Sequence, residues 1–311
     1  MAESLVINEI YLSLQGESSW VGWPCVFVRL TGCNLRCSYC DTAYAFGEGR
    51  RWTIEAVLDR VAALSAPFSG WQRKPPCSVD TLLDHEPEDR DREPHRPGNL
   101  EPLNPLPVHA KRPEPTNLLC DQARPDQGRG GTRPYQPVQG KPRLPLVEVT
   151  GGEPLLQAGA MPLMTRLCDA GHTVLLETSG ALDIQTVDPR VHRIMDWKCP
   201  SSGESARNLP ENLAALRSTD ELKFVVGTEA DYAWMKGVLE RHGLAERCPV
   251  LVSWVAPLLP DQRHPTLKAV PAGDRALSRR ELAERVVADA LPVRFQVQLH
   301  KVVWAPDARG V

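Results

Sequence analysis

Short apolar runs recur along this chain on both sides of one long polar interruption. Leu5 to Tyr11, Val26-Phe27-Val28-Arg29-Leu30, Leu146-Val147-Glu148-Val149-Thr150, Thr173-Val174-Leu175-Leu176-Glu177, Arg193-Ile194-Met195-Asp196-Trp197, Glu221-Leu222-Lys223-Phe224-Val225-Val226, Val250-Leu251-Val252-Ser253-Trp254 and Val293 to Leu299 are strand-length and rich in aliphatic residues. Between several of them the apolar positions move to helical spacing, over Ile54 to Val61, Met161 to Ala170 and Ala230 to His242. Strands alternating with amphipathic helices predict repeated β-α units on a parallel sheet. The six central strands predict an α/β fold, a partial (β/α)6 TIM-like barrel rather than the closed eight-unit one.

The interruption, at about 66–143, is rich in Pro, Arg, Gly and Asp, with runs such as Arg90-Asp91-Arg92-Glu93-Pro94 and Arg129-Gly130-Gly131-Thr132-Arg133-Pro134. Such a composition buries too little to offset its ordering entropy and predicts a disordered insertion in a single domain spanning 1–311. Cys77, Cys120, His85, His95 and His109 fall in it without metal-ligand spacing. A net charge of −3 over 311 residues gives no electrostatic footprint for nucleic acid. The opening Met1-Ala2-Glu3-Ser4 is not basic and no apolar run reaches a membrane span's length, so a cytoplasmic enzyme without membrane contact is expected.

The chemistry concentrates in Cys33-Asn34-Leu35-Arg36-Cys37-Ser38-Tyr39-Cys40. C-x3-C-x2-C places three thiols in one short loop at the carboxyl end of a strand, where ligands bind in α/β sheets and barrels. Taken alone, the loop fits an iron–sulfur cluster with one position open, a zinc site completed by a distant His or Cys, or a set of buried thiols. Cys25, Cys168, Cys199 and Cys248 are scattered singly, and the total of nine cysteines is odd, which argues against a disulfide framework. After the next strand, Thr150-Gly151-Gly152-Glu153-Pro154 has two glycines that let backbone approach a ligand closely.

The three-cysteine loop followed one strand later by Gly-Gly-Glu-Pro resembles the radical S-adenosylmethionine (SAM) superfamily. There SAM completes a [4Fe–4S] cluster. Glu9-Ile10-Tyr11-Leu12-Ser13-Leu14-Gln15-Gly16-Glu17-Ser18, Gly22-Trp23-Pro24, Cys40-Asp41-Thr42 and the closing Gln296-Val297-Gln298-Leu299-His300-Lys301 narrow this further, and closely resemble the 7-carboxy-7-deazaguanine synthase family. That resemblance covers the chain apart from the insertion. It implies a radical SAM barrel that converts 6-carboxy-5,6,7,8-tetrahydropterin to 7-carboxy-7-deazaguanine with loss of ammonia, in the synthesis of queuosine for transfer RNA. It implies a [4Fe–4S] cluster, SAM and Mg2+ as cofactors, a homodimer and a flavodoxin-type reductant.

Carried over residue by residue, the resemblance assigns the cluster to Cys33, Cys37 and Cys40. Tyr39, Cys40, Asp41, Gly152, Ser179 and Lys198 would contact SAM. Leu14, Gln15, Gly16, Glu17, Arg29, Thr150 and His300 would contact the pterin, with Arg29 on its carboxylate by a bidentate pair. Thr42 would be a magnesium ligand. By themselves Thr42 is a turn or N-cap hydroxyl, and Ser179, Lys198 and His300 are ordinary polar residues. Some members end at a proline six residues after the histidine and set their terminal carboxylate near the substrate, whereas here Asp307-Ala308-Arg309-Gly310-Val311 follow Pro306. Two other functions fit the cysteine loop alone: a glycyl-radical activase, and a zinc- or cluster-binding regulatory module.

Overall fold

The computed structural model describes residues 4–70, 142–305 and 307–311. Most of the expected insertion, including Cys77, Cys120, His85, His95 and His109, lies outside the described residues, as does Pro306. The first residues of that stretch instead continue a helix as a 3-10 turn at Ala66–Phe68.

Among the described residues nine strands form one sheet: β1 (Ser4–Leu14), β2 (Pro24–Leu30), β3 (Arg50–Thr53), β4 (Leu146–Gly151), β5 (Val174–Thr178), β6 (His192–Asp196), β7 (Glu221–Val226), β8 (Val250–Trp254) and β9 (Arg294–Gln296). Their order is β3-β1-β2-β4-β5-β6-β7-β8-β9. From β2 to β9 every neighbouring pair is parallel, while β1 and β3 are antiparallel additions at one edge. The six central strands expected from the apolar runs are thus β2 and β4 to β8, with β9 as a seventh parallel member. No pairing joins β3 to β9 among the described residues, so the barrel is open. β2 and β4 flank the interruption in sequence and are neighbours in the sheet, with Cys25 opposite Leu146 and Arg29 opposite Thr150.

Helices connect most strands. α1 (Ile54–Ser65) starts where Thr53 Oγ1 accepts from the Ala56 amide, and its stripe Ile54, Val57, Val61 is buried. α2 (Ala160–Asp169) buries Ala160, Leu163, Met164 and Leu167 at helical spacing. α3 (Glu211–Ala214) is a single turn, and α4 (Glu229–His242) opens with a Thr228/Asp231 capping box and ends at left-handed Gly243. α5 (Leu244–Arg247), α6 (Arg279–Ala288) and α7 (His300–Val303) follow. Among the described residues no helix is long and apolar enough to cross a membrane. Two expectations need correcting. No helix joins β5 to β6; Ile184, Val187 and Val191 of the connection fill the core there instead. The last strand stops at Gln296, because Leu299 turns its amide to the Gly16 carbonyl and the chain coils into α7.

Strand alternation separates two faces. Val26, Val28, Leu30, Val147, Val149, Leu176, Leu222, Phe224 and Val226 join the helices in one large apolar core. On the other face a small cluster of Trp20, Cys25, Phe27, Leu146, Leu175 and Ile194 gives way, toward the carboxyl ends, to Arg29, Thr150, Glu177, Asp196 and Lys223. These polar side chains face a cavity of about 670 Å3.

Candidate active site

The floor of the cavity is the segment between β1 and β2. Gln15 is buried there, donating Nε2 to Glu148 Oε2 at 2.7 Å and accepting from the Glu17 amide at 2.6 Å. Ser18 adopts φ 96°, a costly conformation for a residue with a Cβ, and two bonds with the Gln296 side chain hold it there, at 3.0 and 2.8 Å. Beneath it Glu221 accepts from the Ser19 amide and meets His192 Nε2 at 2.9 Å. Glycine at 16 lets the His300 ring pack against the floor, since a Cβ would lie 2.8 Å from His300 Nδ1 and push the ring away. The closing motif then clamps two segments: Gln298 Nε2 donates to Glu17 at 2.8 Å, and Lys301 pairs with Asp41 beside the cysteines.

The cysteine loop leaves the end of β2. Gly152 must lack a Cβ because one would sit 2.1 Å from the Gly32 carbonyl oxygen and 2.8 Å from Cys33 Cβ. The neighbouring Glu153 has 0% exposure and accepts from Thr178 Oγ1 (2.9 Å), the Ser179 amide (2.7 Å) and Ser179 Oγ (2.5 Å). Gly-Gly-Glu-Pro therefore ties the end of β4 to the cysteine loop on one side and to the end of β5 on the other. Glu204 accepts from the Arg36 amide at 2.6 Å, and Ser38 bonds to the Ser201 and Ser202 carbonyls, so the loop is braced from below.

Cys33, Cys37 and Cys40 are all free thiols on the cavity wall. Burial raises each thiol, Cys37 to about 12, so an apo site holds neutral sulfur. Three unpaired thiols on one cavity fit a cluster that takes one thiolate at each of three irons and drives deprotonation on binding. No three His, Cys, Asp or Glu side chains among the described residues converge on a single ion. Thr42 stands at the start of the 3-10 turn Ala43–Phe46 but its hydroxyl caps nothing there; it lies 3.7 Å from Cys40 Sγ and lines the cavity.

Charged groups facing the cavity are mutually arranged. Lys223 Nζ contacts Glu17 at 3.1 Å and also Glu177. Burial alone would raise the Glu177 carboxyl, yet the Lys223 ammonium overrides it and the net shift is downward. Glu148 goes the other way, pushed up to about 8 by burial and by the Glu177 charge. Lys198 Nζ pairs with Asp196 Oδ2 at 2.7 Å, while Asp196 Oδ1 is buried with no partner among the described residues. Arg29 donates Nε to Glu9 at 2.8 Å and Nη2 to the Tyr11 hydroxyl at 3.0 Å.

Every residue that the sequence singled out lines this one cavity: Leu14, Gln15, Gly16, Glu17, Arg29, Cys33, Cys37, Tyr39, Cys40, Asp41, Thr42, Thr150, Gly152, Ser179, Lys198 and His300. The contacts of some differ from a simple ligand role. Gln15 spends its amide on Glu148 and Glu17, and Ser179 gives its hydroxyl proton to Glu153. The sequence assigned no site role to Tyr11, Tyr44, Glu148, Glu177, Asp196, Lys223 or Lys301, all of which line the cavity; the tail Asp307, Ala308, Arg309, Gly310 and Val311, which departs from the family's ending, lines it too. A signal existed for four of them: Glu148, Glu177, Asp196 and Lys223 are charged residues inside apolar strand runs, where burial is costly without a partner or a ligand.

No family model matches the chain. Curated relatives do: the 7-carboxy-7-deazaguanine synthase of Chlorobaculum tepidum is 36% identical over 99% of this chain and 97% of its own. That of Koribacter versatilis is 32% identical over 98% of this chain and 99% of its own. The crystal structure of QueE from Escherichia coli shares the fold, with a TM-score of 0.53 at 17% identity over 96% of this chain and 95% of that one. With a relative of that similarity matched along almost the whole length, the chain belongs to the 7-carboxy-7-deazaguanine synthase family.

Proposed function

We propose that this chain converts 6-carboxy-5,6,7,8-tetrahydropterin to 7-carboxy-7-deazaguanine with loss of ammonia, as a radical SAM enzyme of queuosine synthesis. The observation that carries this reading is the shared cavity: three unpaired thiols on one wall and the Leu14–Glu17 floor with Arg29 on another. Cys33, Cys37 and Cys40 would hold a [4Fe–4S] cluster, which would supply the one electron that cleaves SAM to methionine and a 5′-deoxyadenosyl radical, the species that would take hydrogen from C6 of the pterin.

The chain's own residues hold and orient the reactants. Arg29 takes the pterin carboxylate, and the floor segment with His300 supports the ring. Glu177, kept ionised by Lys223, and Glu148, kept protonated by burial, give an acceptor and a donor side by side at the base of the cavity. Thr42 would present a hydroxyl oxygen to Mg2+, a hard cation that takes few protein ligands when a substrate supplies the rest. Tyr39, Cys40, Asp41, Gly152, Ser179 and Lys198 would contact SAM. The flavodoxin-type reductant and the homodimer belong to the same proposal and rest on the family resemblance.

Anaerobically reconstituted protein incubated with SAM, dithionite, Mg2+ and the carboxylated tetrahydropterin should yield 5′-deoxyadenosine and 7-carboxy-7-deazaguanine by mass spectrometry. Deoxyadenosine without the deazaguanine would point to another substrate. Neither product from cluster-loaded protein would overturn the assignment.

A further inference from the structure

We propose that Glu9, braced by Tyr44, is a positioning residue that sets the Arg29 guanidinium in the orientation that receives the substrate carboxylate. The proposal rests on Arg29 as the carboxylate anchor and concerns what holds that anchor. It begins with strand register. Leu5 and Ile7 of β1 face the large apolar core, and so do Ile10 and Leu12, which changes the parity of the strand between them. The pairing with β2 shows the cause: Ile7 opposes Leu30 and Glu9 opposes Arg29, leaving Asn8 as an extra residue in a bulge. Bulges re-aim side chains beside functional sites. This one turns Glu9 and Tyr11 to the inner face, beside Arg29.

A guanidinium presents two forked edges. Glu9 Oε1 takes Nε and the Tyr11 hydroxyl takes Nη2, which uses the side edge. Nη1 donates to no acceptor among the described residues, which leaves the end edge, Nη1 with the second proton of Nη2, for a bidentate carboxylate in the cavity that Arg29 lines. Glu9 Oε1 also accepts from the Tyr44 hydroxyl at 3.0 Å, so the oxygen that holds Arg29 Nε is itself held by a second donor. Glu9 is absent from the cavity wall, whereas Arg29 is on it, so Glu9 acts through Arg29 rather than on the substrate.

The test is substrate affinity, measured by anaerobic calorimetry on cluster-loaded, SAM-bound protein, with 6-carboxytetrahydropterin and with tetrahydropterin lacking the carboxylate. Arg29→Ala should weaken binding of the carboxylated ligand about a hundredfold or more, and Glu9→Gln or Tyr44→Phe about tenfold or less, the scale of hydrogen bonds to charged groups. None should change the affinity for the ligand without a carboxylate. Glu9→Gln added to Arg29→Ala should cause no further loss. Equal weakening of both ligands by Glu9→Gln, tighter binding, or a loss that adds to that of Arg29→Ala would overturn the proposal. A large Arg29→Ala effect with a silent Glu9→Gln would also overturn it while keeping the anchor; an unchanged affinity in Arg29→Ala would remove both.

Discussion

Phe224 and Lys223 are consecutive on β7 and project to opposite sides of the sheet. Phe224 has 0% exposure within the helix-covered core, where its ring meets Trp234 edge-on with centroids 6.3 Å apart. Lys223 has 4% exposure on the inner face, yet its ammonium is shared by two carboxylates from different segments. The outer face is held by many small, interchangeable apolar contacts, each buried side chain contributing roughly 1.5–3 kcal/mol. The inner face is held by few specific pairs whose desolvation can exceed their Coulombic gain. Stability is thus concentrated on one side of each strand and binding chemistry on the other, one residue apart.

Replacing Phe224 by Ala should break the outer face. The expected loss is about 3–5 kcal/mol from removed contacts and the cavity left behind, read by denaturant unfolding. Turnover per folded molecule should stay near that of the parent. A large fall in specific activity without a change in the unfolding midpoint would mean that the two faces are not separable.

Lys223→Met should do the reverse, lowering turnover about a hundredfold, the scale of a hydrogen-bonded charge removed from a buried site. It also carries a pH signature. A carboxyl held below its ordinary value, as Glu177 is, contributes stability above that value and loses it as pH falls through the folded value. Without the Lys223 ammonium, burial is no longer overridden and the Glu177 carboxyl rises, so the acid limb of the activity profile should move to higher pH. An unmoved limb would take Glu177 out of the profile.

These contrasts were only partly legible in the chain. The outer face is plain, because its aliphatic residues recur at every second position and mark β2 and β4 to β8. The family is equally plain, since the motifs around the cysteines and at His300 are contiguous. β3 escaped because Arg50-Arg51-Trp52-Thr53 is polar and becomes a strand only by pairing with Ser4 to Ile7 across a long stretch of chain. α6 escaped although Ser278 and Glu281 form a capping box, since its apolar stripe is reduced to Leu282 and Val286. The partners of the inner charges come from distant strands, and no local pattern says that Lys223 will meet Glu17 or that Glu153 will bond to Ser179. The bulge that aims Glu9 escaped as well, since Leu5 to Tyr11 reads as one unbroken strand and only the step of three from Ile7 to Ile10 betrays the change of parity.

Glu148→Gln sharpens the comparison by removing a titration while keeping shape and the bond to Gln15. Glu148 faces Gln15, Glu177, Lys223, Arg29 and Cys25, and the folded protein keeps its proton to about 8, against 4.5 for an unperturbed carboxyl. A raised carboxyl contributes stability that is complete below the unperturbed value and is lost as pH rises toward the folded one. The glutamine variant has no such slope. Its stability relative to the parent should therefore improve across that window, by up to about 5 kcal/mol at the upper end. A parallel pair of stability curves would place the titration elsewhere.

The smallest effect is expected at the rim, where neither face dominates. The Arg309 guanidinium lies 3.9 Å from the centroid of the Tyr44 ring, and its Nη1 meets Glu48 at 2.9 Å. Its side chain is 53% exposed, which places both contacts in the weak, screened class of roughly 0.2–1 kcal/mol. Arg309→Ala should therefore raise the Michaelis constant for the pterin only about twofold, with the maximal rate unchanged, and the difference should vanish at high salt as screening removes the charge. A salt-independent loss of tenfold or more would mean that residues 307–311 belong to the binding wall rather than to its edge, and that the tail acts on Arg29 through Tyr44 and Glu9 as strongly as the inner charges do.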